Sequence, residues 1–532
     1  MSNINLKKIN KVFFIGIGGI GISATARILN QQGKIILGSD AAASEITQQL
    51  EREGIKVVIP QSADNIKPGI DLVVYTVAVT EDNPERQKAK KLNIPQITYP
   101  QLLGILTGNK YAIGVSGTNG KTTTSAMLGL IFMEAGLDPT IVIGGKTDCF
   151  GGNSRLGQGD YFIFESDEYR RAFTNYNPKM AVVTYIEADH LDYYKDLNDI
   201  KSAFSDYLKR VPADGFIFIN SDDQESAEVI KKCSARIITF GIDNPADIGA
   251  RNIKVENRRQ FFDVYYQGKN LGEIVLPVPA KYNIYNALAA MGPALTLGVD
   301  FKIIQKTLKE FQGTWRRFEK LGKLGSPPRL DSAKRGFGEA GATEFIADYA
   351  HTPDAVEKTI TALKEFYPGK KMLVIFQPHQ YNRTKNFFKE FAASFKGSDQ
   401  VIILDIFFVK GRENPADFDV SAEKLAVAIK KNGVDARYGD EMTLNELSGL
   451  VNFSDFDLVL IMGAGDIYSN AKEMFKEVIA EEVEKELDTE EELAEKYKFE
   501  EESKRPKIKG AGFSQQKKIV EENKFYTKRK KR

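Results

Sequence analysis

The sequence predicts an α/β protein in which three domains follow one another along the chain. The first observation is the length of 532 residues, which suits three or four domains at about 150 residues each. The second is the repeated alternation of short apolar runs with helical segments, the pattern of parallel sheets with crossover helices. The third is a composition with 42% hydrophobic and 27% charged residues, which is typical of globular proteins.

The predicted domains cover residues 1–108, 109–318 and 319–480, and a charged tail follows at 481–532. Residues 322–343 are rich in Gly, Pro and charge, which predicts a loop or hairpin insertion. The tail carries mostly acids first and mostly bases later, which predicts a solvated helix followed by disorder.

The charge balance and the cysteine content exclude several classes of protein. There are 73 Lys and Arg against 72 Asp and Glu, so no global charge favours nucleic acid. No uncharged apolar run approaches about 18 residues and no signal-peptide pattern is present, so we expect no membrane insertion. The two cysteines, Cys149 and Cys233, cannot form a disulfide framework, and a reducing cytoplasm is the simplest expectation.

A glycine cluster follows the first apolar run, VFFI (12–15). Its sequence GIGGIG (16–21) fits G-x-G-x-x-G, a helical stretch follows, and Asp40 comes about 20 residues later. Glycines let the backbone approach a diphosphate, and the helix N-terminus supplies N–H donors. The pattern therefore predicts a Rossmann-like domain that binds a nucleoside diphosphate, and it does not select NAD.

A second glycine cluster, SGTNGKTTT (116–124), directly follows the strand-like run 111–115. It resembles a P-loop, in which backbone N–H groups hold phosphates, Lys121 reaches the β- and γ-phosphates and a Thr hydroxyl holds Mg²⁺. Val115 stands where the strict motif has its first glycine. The pattern predicts a central P-loop α/β domain of the ATPase type.

Acidic motifs follow the next strand-like runs. They are ESDE (165–168) and EADHLD (187–192), and both come where strands end. Because ligands of open α/β sheets lie at the carboxyl ends of strands, a carboxylate and an imidazole here are candidate Mg²⁺ ligands beside the P-loop. Zinc is disfavoured, because neither cysteine belongs to a ligand pair.

Further polar motifs come later in the chain. Asn283 and Asn286 share one face of a predicted helix start, where they either cap the helix or contact a base. Two arginines, Arg316 and Arg317, lie near a predicted domain boundary. Polar clusters then follow strand-like runs of the third domain, as in a binding cleft, at DYAHTP (348–353), QPHQYNRT (377–384) and GAGD (463–466).

Taken together, the motifs resemble those of the Mur ligases, ATP-dependent amide-forming enzymes of peptidoglycan synthesis. The resemblance covers roughly residues 11–475. It rests on eight segments in the family's order: FIGIGGIGIS, SGTNGKTTT, TYIEADHLDYY, NIYNALAA, RRFEKLG, DYAHTPDAV, FQPHQYNRT and MGAGDIY.

The resemblance implies an N-terminal UDP-binding domain, a central ATP-binding domain and a Rossmann-like C-terminal domain that binds an amino acid. It implies ATP and Mg²⁺ as cofactors, and UDP-N-acetylmuramate and L-alanine as small-molecule substrates. The expected reaction joins L-alanine to the carboxylate through an acyl phosphate in the cytoplasm. The product would serve cell-wall synthesis, and thereby cell shape and division.

The resemblance also implies residue roles. The expected catalytic residues are Lys121, Glu165, His190 and Arg317, and the expected metal ligands are Thr122, Glu165 and His190. The expected ATP-binding residues are Gly117, Thr118, Asn119, Gly120, Lys121, Thr122, Thr123, Asn283, Asn286 and Asp348. The expected substrate-binding residues are Gly16, Gly18, Gly19, Gly21, Ser39, Asp40, His351, His379 and Arg383.

The chain departs from the usual family pattern in three places. Asn119 stands where alanine-adding members usually carry His, and Thr352 replaces the second His of D-Y-x-H-H-P. The usual E-x-D-E-S-D reads Glu165-Ser-Asp-Glu-Tyr-Arg170, which resembles the recycling ligases of murein peptides at Asp-Glu-Tyr.

Three alternatives remain open at this level. A recycling ligase would attach a peptide to the same acceptor, although IEADHLDYY argues against it. An NAD-dependent oxidoreductase would leave the P-loop unexplained, and a non-catalytic UDP-sugar-binding protein would leave Lys121, Glu165 and His190 without a role. The sequence also leaves open the preference among alanine, glycine and serine, the general base and the oligomeric state.

Overall fold

The computed structural model describes residues 4–108, 110–190, 193–325, 342–409, 413, 415–439, 447 and 451–474, and the structural statements below concern these residues. Residues up to Ala471 form one compact unit containing three successive β-sheets with their helices. This architecture confirms the predicted α/β class with three domains. The strands of each sheet fall within one predicted range, and the limits of the ranges remain predictions.

The N-terminal sheet has five parallel strands in the order β3-β2-β1-β4-β5. Because β1 has β2 on one side and β4 on the other, the strand order reverses there, and the Rossmann-like prediction is confirmed. The strands are β1 (Lys11–Ile15), β2 (Ile35–Ser39), β3 (Lys56–Val58), β4 (Leu72–Tyr75) and β5 (Gln96–Thr98). The helices are α1 (Ile20–Gln31), α2 (Glu45–Arg52), α3 (Pro84–Lys91) and α4 (Tyr99–Thr107).

The central sheet has ten strands in the order β15-β14-β13-β12-β11-β10-β6-β9-β7-β8. The strands are β6 (Tyr111–Ser116), β7 (Thr140–Thr147), β8 (Gly152–Arg155), β9 (Tyr161–Glu165), β10 (Met180–Val183), β11 (Phe216–Asn220), β12 (Arg236–Gly241), β13 (Ile248–Glu256), β14 (Arg259–Tyr266) and β15 (Lys269–Leu276). In the order of the sheet, the neighbouring strands from β13 through β12, β11, β10, β6 and β9 to β7 are parallel. The antiparallel strand β8 extends one edge of the sheet, and the antiparallel strands β14 and β15 extend the other.

Helices of the central domain bring two of the sequence motifs together. They are α5 (Lys121–Glu134), α6 (Leu197–Leu208), α7 (Gln224–Val229), α8 (Lys281–Thr296) and α9 (Phe301–Lys309). Apolar residues of α5 and α8 share one core, with Leu128 and Leu288 completely buried. Because α5 begins at the P-loop and α8 begins near Asn283, their packing places these two helix starts side by side.

The C-terminal sheet has six strands in the order β16-β17-β21-β18-β19-β20, and only the edge strand β16 is antiparallel. Its parallel part confirms the Rossmann-like expectation for this domain. The strands are β16 (Glu319–Gly325), β17 (Ala342–Asp348), β18 (Met372–Phe376), β19 (Gln400–Ile403), β20 (Asp435–Tyr438) and β21 (Leu458–Met462). The helices are α10 (Pro353–Phe366), α11 (Tyr381–Asn386), α12 (Phe388–Ala393), α13 (Ala422–Lys431) and α14 (Ile467–Met474).

Several sequence expectations concern the connections. Strands β16 and β17 are antiparallel neighbours, as a hairpin requires, but residues 326–341 between them and the tail 481–532 lie outside the described residues.

Both cysteines are free thiols. None of the described helices has the length and apolar character that a membrane span needs. Short 3-10 segments lie at Leu6–Lys8, Ala63–Asn65, Asp148–Phe150, Tyr169–Asn175, Pro415–Asp417 and Phe453–Asp455.

Candidate nucleotide and metal site

The P-loop-like segment connects β6 to the first turn of α5. Its two glycines, Gly117 and Gly120, have φ angles of 130° and 86°, which only glycine adopts easily. A Cβ atom on Gly117 would clash with Thr184, and one on Gly120 would clash with Asn286. The loop is therefore pressed against the end of β10 and the start of α8, and glycine is required at both positions.

Lys121 reaches into this loop from the first residue of α5. Its Nζ atom lies 2.6 Å from the carbonyl oxygen of Gly117 and 2.9 Å from both carboxylate oxygens of Glu168. Burial opposes the charge of the ammonium, but Glu168, Asp167 and Glu165 outweigh it and raise the pKa of Lys121. The side chain is therefore a fixed cation beside the loop, where a phosphate-binding lysine is needed.

Glu165 and Thr122 lie together on the β9 side of the loop. The Glu165 carboxylate accepts a 2.5 Å hydrogen bond from the Gly144 N–H. A Cβ atom on Gly144 would lie 2.8 Å from Glu165, and one on Gly145 would lie 2.8 Å from Thr122, so these side chains pack against successive residues of β7. Burial raises the pKa of Glu165, whereas the Gly144 N–H, Lys121 and Thr122 oppose that shift.

His190 joins a different pair of carboxylates. Donor atoms of Asp167, Glu168 and His190 all lie within 4.8 Å of one another, and His190 Nε2 is 3.7 Å from Glu168 Oε1. The expected ligand set is thus divided: Thr122 and Glu165 form one group, and His190 forms the other with Asp167 and Glu168. The carboxylate and hydroxyl oxygens of both groups are the donors that Mg²⁺ prefers, whereas the His190 imidazole offers a nitrogen. The ESDE motif contained Asp167 and Glu168, but sequence reasoning selected only its first acid.

The two asparagines of α8 are buried beside the P-loop. Asn286 donates to Asn283 at 3.0 Å, and Asn283 donates to the Pro279 carbonyl at 2.6 Å. The Thr124 hydroxyl donates to Asn286 at 3.3 Å. These bonds tie the start of α8 to α5, so the helix-start position is confirmed, whereas contact with a base remains a prediction.

The remaining expected ATP-binding residues contact the ends of neighbouring segments. The Thr118 N–H donates to the Tyr185 carbonyl at 2.8 Å, and Asn119 donates to the Glu187 carboxylate. Thr123 and Thr314 have hydroxyl oxygens 3.4 Å apart. This last contact connects the P-loop helix to the segment that enters the C-terminal domain.

Arg317 and Asp348 lie at the junction of the central and C-terminal domains. The Arg317 guanidinium is 5.3 Å from the centre of the Tyr349 ring. The buried Asp348 carboxylate accepts hydrogen bonds from the N–H groups of Phe318 and Ala350 at 3.1 and 2.9 Å. Burial raises the pKa of Asp348, and the charge of Arg317 opposes this shift. The acid thus fixes the backbone on both sides of the junction.

Arg316 is a junction residue that sequence reasoning did not select. Its guanidinium lies 4.5 Å from the Trp315 ring and 4.4 Å from the Tyr468 ring. The Tyr468 hydroxyl donates to Glu319 at 2.7 Å, which links α14 to the start of β16. The run Trp-Arg-Arg-Phe indicated two cations, but it did not indicate which of them would lie against the two aromatic rings.

His351, His379 and Arg383 lie close together in the C-terminal domain, and their place on the wall of a cleft remains a prediction. The ring centres of His351 and His379 are 6.1 Å apart, and Arg383 NH1 lies 3.4 Å from His379 Nδ1. The Phe407 ring, which the sequence did not identify, stacks on His379 at 5.4 Å. Burial, followed by the charge of Arg383, lowers the pKa of His351 to about 3.

We expect this pKa to make stability depend on pH. The unfolded chain binds a proton at His351 below the ordinary histidine pKa of 6.5, whereas the folded protein resists protonation down to about 3. The free energy of unfolding should therefore fall as pH falls through this window. When the pH is lowered from about 7.5 to 5.5, the free energy of unfolding should fall for the wild type. For His351→Gln this fall should be smaller by about 1.4 kcal/mol. Urea unfolding at both pH values measures this difference, and equal losses would contradict the expectation.

The N-terminal glycine cluster is held by its neighbours. The Asp40 carboxylate accepts a 2.7 Å hydrogen bond from the Gly18 N–H. A Cβ on Gly16, whose φ is 76°, would lie 2.6 Å from Thr76. The Ser39 hydroxyl donates at 2.6 Å to Glu85, a fully buried carboxylate whose pKa burial raises. Asp40 thus braces the loop, whereas Ser39 is directed to Glu85.

The fold and the site define a three-domain α/β protein in which a P-loop-like turn lies beside the carboxylates of Glu165, Asp167 and Glu168. Profiles of one family match the chain in three parts: "Mur ligase family, catalytic domain" at residues 11–111, "Mur ligase middle domain" at 115–294 and "Mur ligase, glutamate ligase domain" at 336–465. The chain belongs to the Mur ligase family.

Individual relatives resemble the chain over most of its length. The UDP-N-acetylmuramate–L-alanine ligase of Caldanaerobacter subterraneus is 39% identical over 481 residues, which are 89% of this chain and 99% of the relative. The ligase of the same name from Clostridium novyi is 40% identical over 88% of this chain and 97% of its own.

Solved structures agree with this placement. The UDP-N-acetylmuramate–alanine ligase of Thermotoga maritima has a TM-score of 0.74 at 28% identity, over 88% of this chain and 99% of its own. A murein peptide ligase from Psychrobacter arcticus has a TM-score of 0.61 at 21% identity, over 87% of this chain and 99% of its own, and supports the fold alone.

Proposed function

We propose that the protein is an ATP-dependent ligase that joins L-alanine to the carboxylate of UDP-N-acetylmuramate and releases ADP and phosphate. The observation that carries the proposal is Lys121, held as a cation in a glycine-rich loop among carboxylates, in a chain about 40% identical to L-alanine ligases along nearly their whole length. In this proposal the product serves peptidoglycan synthesis in the cytoplasm. The two free thiols are consistent with a reducing compartment.

The chemical problem is that a carboxylate is a poor electrophile. Transfer of the γ-phosphoryl group of ATP to this carboxylate forms an acyl phosphate, which the amine of alanine then attacks with release of phosphate. Catalysis of phosphoryl transfer is mainly positioning and charge stabilisation. Lys121 would meet this need, because its ammonium lies in the P-loop-like segment, within hydrogen-bond distance of the Gly117 carbonyl.

Two groups of residues suit Mg²⁺, which would neutralise phosphate charge when bound. Thr122 and Glu165 would hold it on the β9 side, and Asp167, Glu168 and His190 would hold it on the other side. The proximity of both groups to Lys121 supports this assignment, since Glu168 contacts the lysine directly.

The other domains would supply the two substrates. We assign the UDP part of the acceptor to the glycine cluster at 16–21, at the crevice between β1 and β4. The amino acid would bind at the wall formed by His351, His379 and Arg383. Arg317 and Asp348, at the junction, would join the ATP site from the C-terminal side and exclude water that would hydrolyse the acyl phosphate.

Heavy-oxygen labelling tests the proposed reaction. The lactyl carboxylate of UDP-N-acetylmuramate is labelled with ¹⁸O, and product formation is followed with ATP and L-alanine. An acyl phosphate requires that one labelled oxygen leave with inorganic phosphate, because the amine displaces the phosphorylated oxygen. Mass spectrometry of the released phosphate is expected to detect this label.

Other outcomes separate the alternatives. Label in AMP would indicate an adenylate route, and product without label transfer would also contradict the acyl phosphate. Label transfer only when a tripeptide replaces alanine would reassign the protein as a recycling ligase. If neither alanine nor the tripeptide gives any product, a non-catalytic UDP-sugar-binding protein would be favoured.

A further inference from the structure

The two arginines that follow Tyr169, Arg170 and Arg171, contact different domains. Arg170 and Arg171 interrupt the 3-10 segment Tyr169–Asn175 with φ angles of 51° and 56°, a left-handed conformation that is costly for residues other than glycine. Arg171 pairs with Asp199 at 2.8 Å and Asp206 at 3.2 Å, both in the central domain. Its neighbour Arg170 is directed to the N-terminal domain instead.

Arg170 donates from NH1 to the carbonyl oxygen of Val77 at 3.2 Å. Val77 lies in the segment that follows β4, directly after Thr76. A Cβ atom on Gly16 would clash with Thr76. The segment after β4 therefore borders the first glycine of the GIGGIG cluster. Ligands of open α/β sheets bind at this point, where the strand order reverses between β1 and β4.

The donors of Arg170 are suited to an oxyanion at this place. A guanidinium carries five N–H donors in a planar fork, and the bond to Val77 uses one of them. The side chain is exposed, and its guanidinium lies 5.5 Å from the Tyr169 ring centre. A second arginine, Arg86, donates to the Val79 carbonyl at 3.2 Å, so cations from two domains converge on the same short segment.

The position also links the acceptor crevice to the metal-binding candidates. The Tyr169 ring, which lies next to the Arg170 guanidinium, is 4.8 Å from the His190 ring. A UDP-sugar that extends from the GIGGIG cluster towards His190 would therefore pass Arg170. Both the diphosphate and the carboxylate of the acceptor are oxyanions that a guanidinium binds well.

We propose that Arg170 is an anion-binding residue of the acceptor site, which the central domain contributes across the domain boundary to the diphosphate or the carboxylate of the UDP-sugar. The identity of this ligand rests on the proposed function. Arg170 acts by direct contact with the substrate and has no part in binding ATP.

The test compares Arg170→Gln with Arg171→Gln. Both changes remove one positive charge at adjacent left-handed positions, so Arg171→Gln is a matched control for charge and backbone strain. Calorimetry measures the affinity for UDP, UDP-N-acetylglucosamine and UDP-N-acetylmuramate, and steady-state kinetics measure KM for ATP. We expect Arg170→Gln to bind UDP-N-acetylmuramate about ten-fold more weakly, with KM for ATP unchanged. Arg171→Gln should bind like the wild type, and Arg170→Lys should recover part of the affinity.

The ligands distinguish the two oxyanions. Weaker binding of all three compounds would assign Arg170 to the diphosphate, and weaker binding of UDP-N-acetylmuramate alone would assign it to the carboxylate. Unchanged affinity of Arg170→Gln for all three, even with lower thermal stability, would overturn the inference and leave a purely structural domain contact. A wild-type protein that binds none of the three would instead contradict the proposed function.

Discussion

Replacement of Lys121 by Met should lower the rate of ATP-dependent ligation by at least about 10³-fold. The lysine ammonium lies 2.6 Å from the Gly117 carbonyl oxygen in the P-loop-like segment, and Met preserves the length of the side chain without its charge. The same change should reduce stability by about 3–5 kcal/mol, because Glu168 would be left buried without its partner. Single-turnover phosphate release and urea unfolding measure the two effects separately.

The double variant Lys121→Met with Glu168→Gln separates catalysis from folding. It removes both charges of the buried pair, so most of the lost stability should return. Turnover should stay at or below the level of the single variant, because Glu168 is itself a candidate metal ligand. Activity that recovers together with stability would contradict a catalytic role for Lys121. It would mean that the lysine serves mainly to neutralise Glu168.

Replacement of Glu165 by Gln should lower turnover by about 10²–10³-fold with little change in stability. The amide oxygen of Gln can still accept the hydrogen bond from Gly144, but the side chain loses the charge that a Mg²⁺ ligand needs. The effect should appear as weaker binding of Mn²⁺ in the presence of a non-hydrolysable ATP analogue, measured by electron paramagnetic resonance.

Asp206→Asn is the matched control for this change. Asp206 is a carboxylate of the same domain that pairs with Arg171 and Lys209 at the surface, away from the loop. Its loss should leave turnover and Mn²⁺ binding unchanged. Near-wild-type turnover of Glu165→Gln would remove this residue from the metal site and leave Asp167, Glu168 and His190 as the remaining candidate group.

Much of the fold could be predicted because its central strands are buried on both faces. Runs such as 12–15 and 372–376 are continuously apolar, since helices cover both sides of a parallel sheet. Strands β5, β7, β8, β13 and β20 were not predicted. In β8 and β13, which have antiparallel neighbours in the central sheet, GNSR and RNIKVE contain too few apolar residues to signal a strand. The short strands β5 and β20 lie at sheet edges.

The candidate site was predictable where a motif needs a particular backbone. Gly117, Gly120 and Lys121 occur in a P-loop-like spacing, and the structure places them together in one turn between β6 and α5. The grouping of carboxylates was not predictable in the same way. ESDE contains three acids within four residues, and the direction of each side chain depends on the turn after β9.

The sequence by itself determines the three α/β domains, the two glycine-rich turns and the family, because these depend on local patterns and on their order along the chain. The tertiary structure alone decides which side chains meet, both within a domain and between domains. It pairs Lys121 with Glu168, groups His190 with Asp167 and Glu168, places Arg316 against the rings of Trp315 and Tyr468 and directs Arg170 to Val77. Most of these contacts join residues far apart in the chain. Their distances depend on side-chain direction and on packing, which no local pattern encodes.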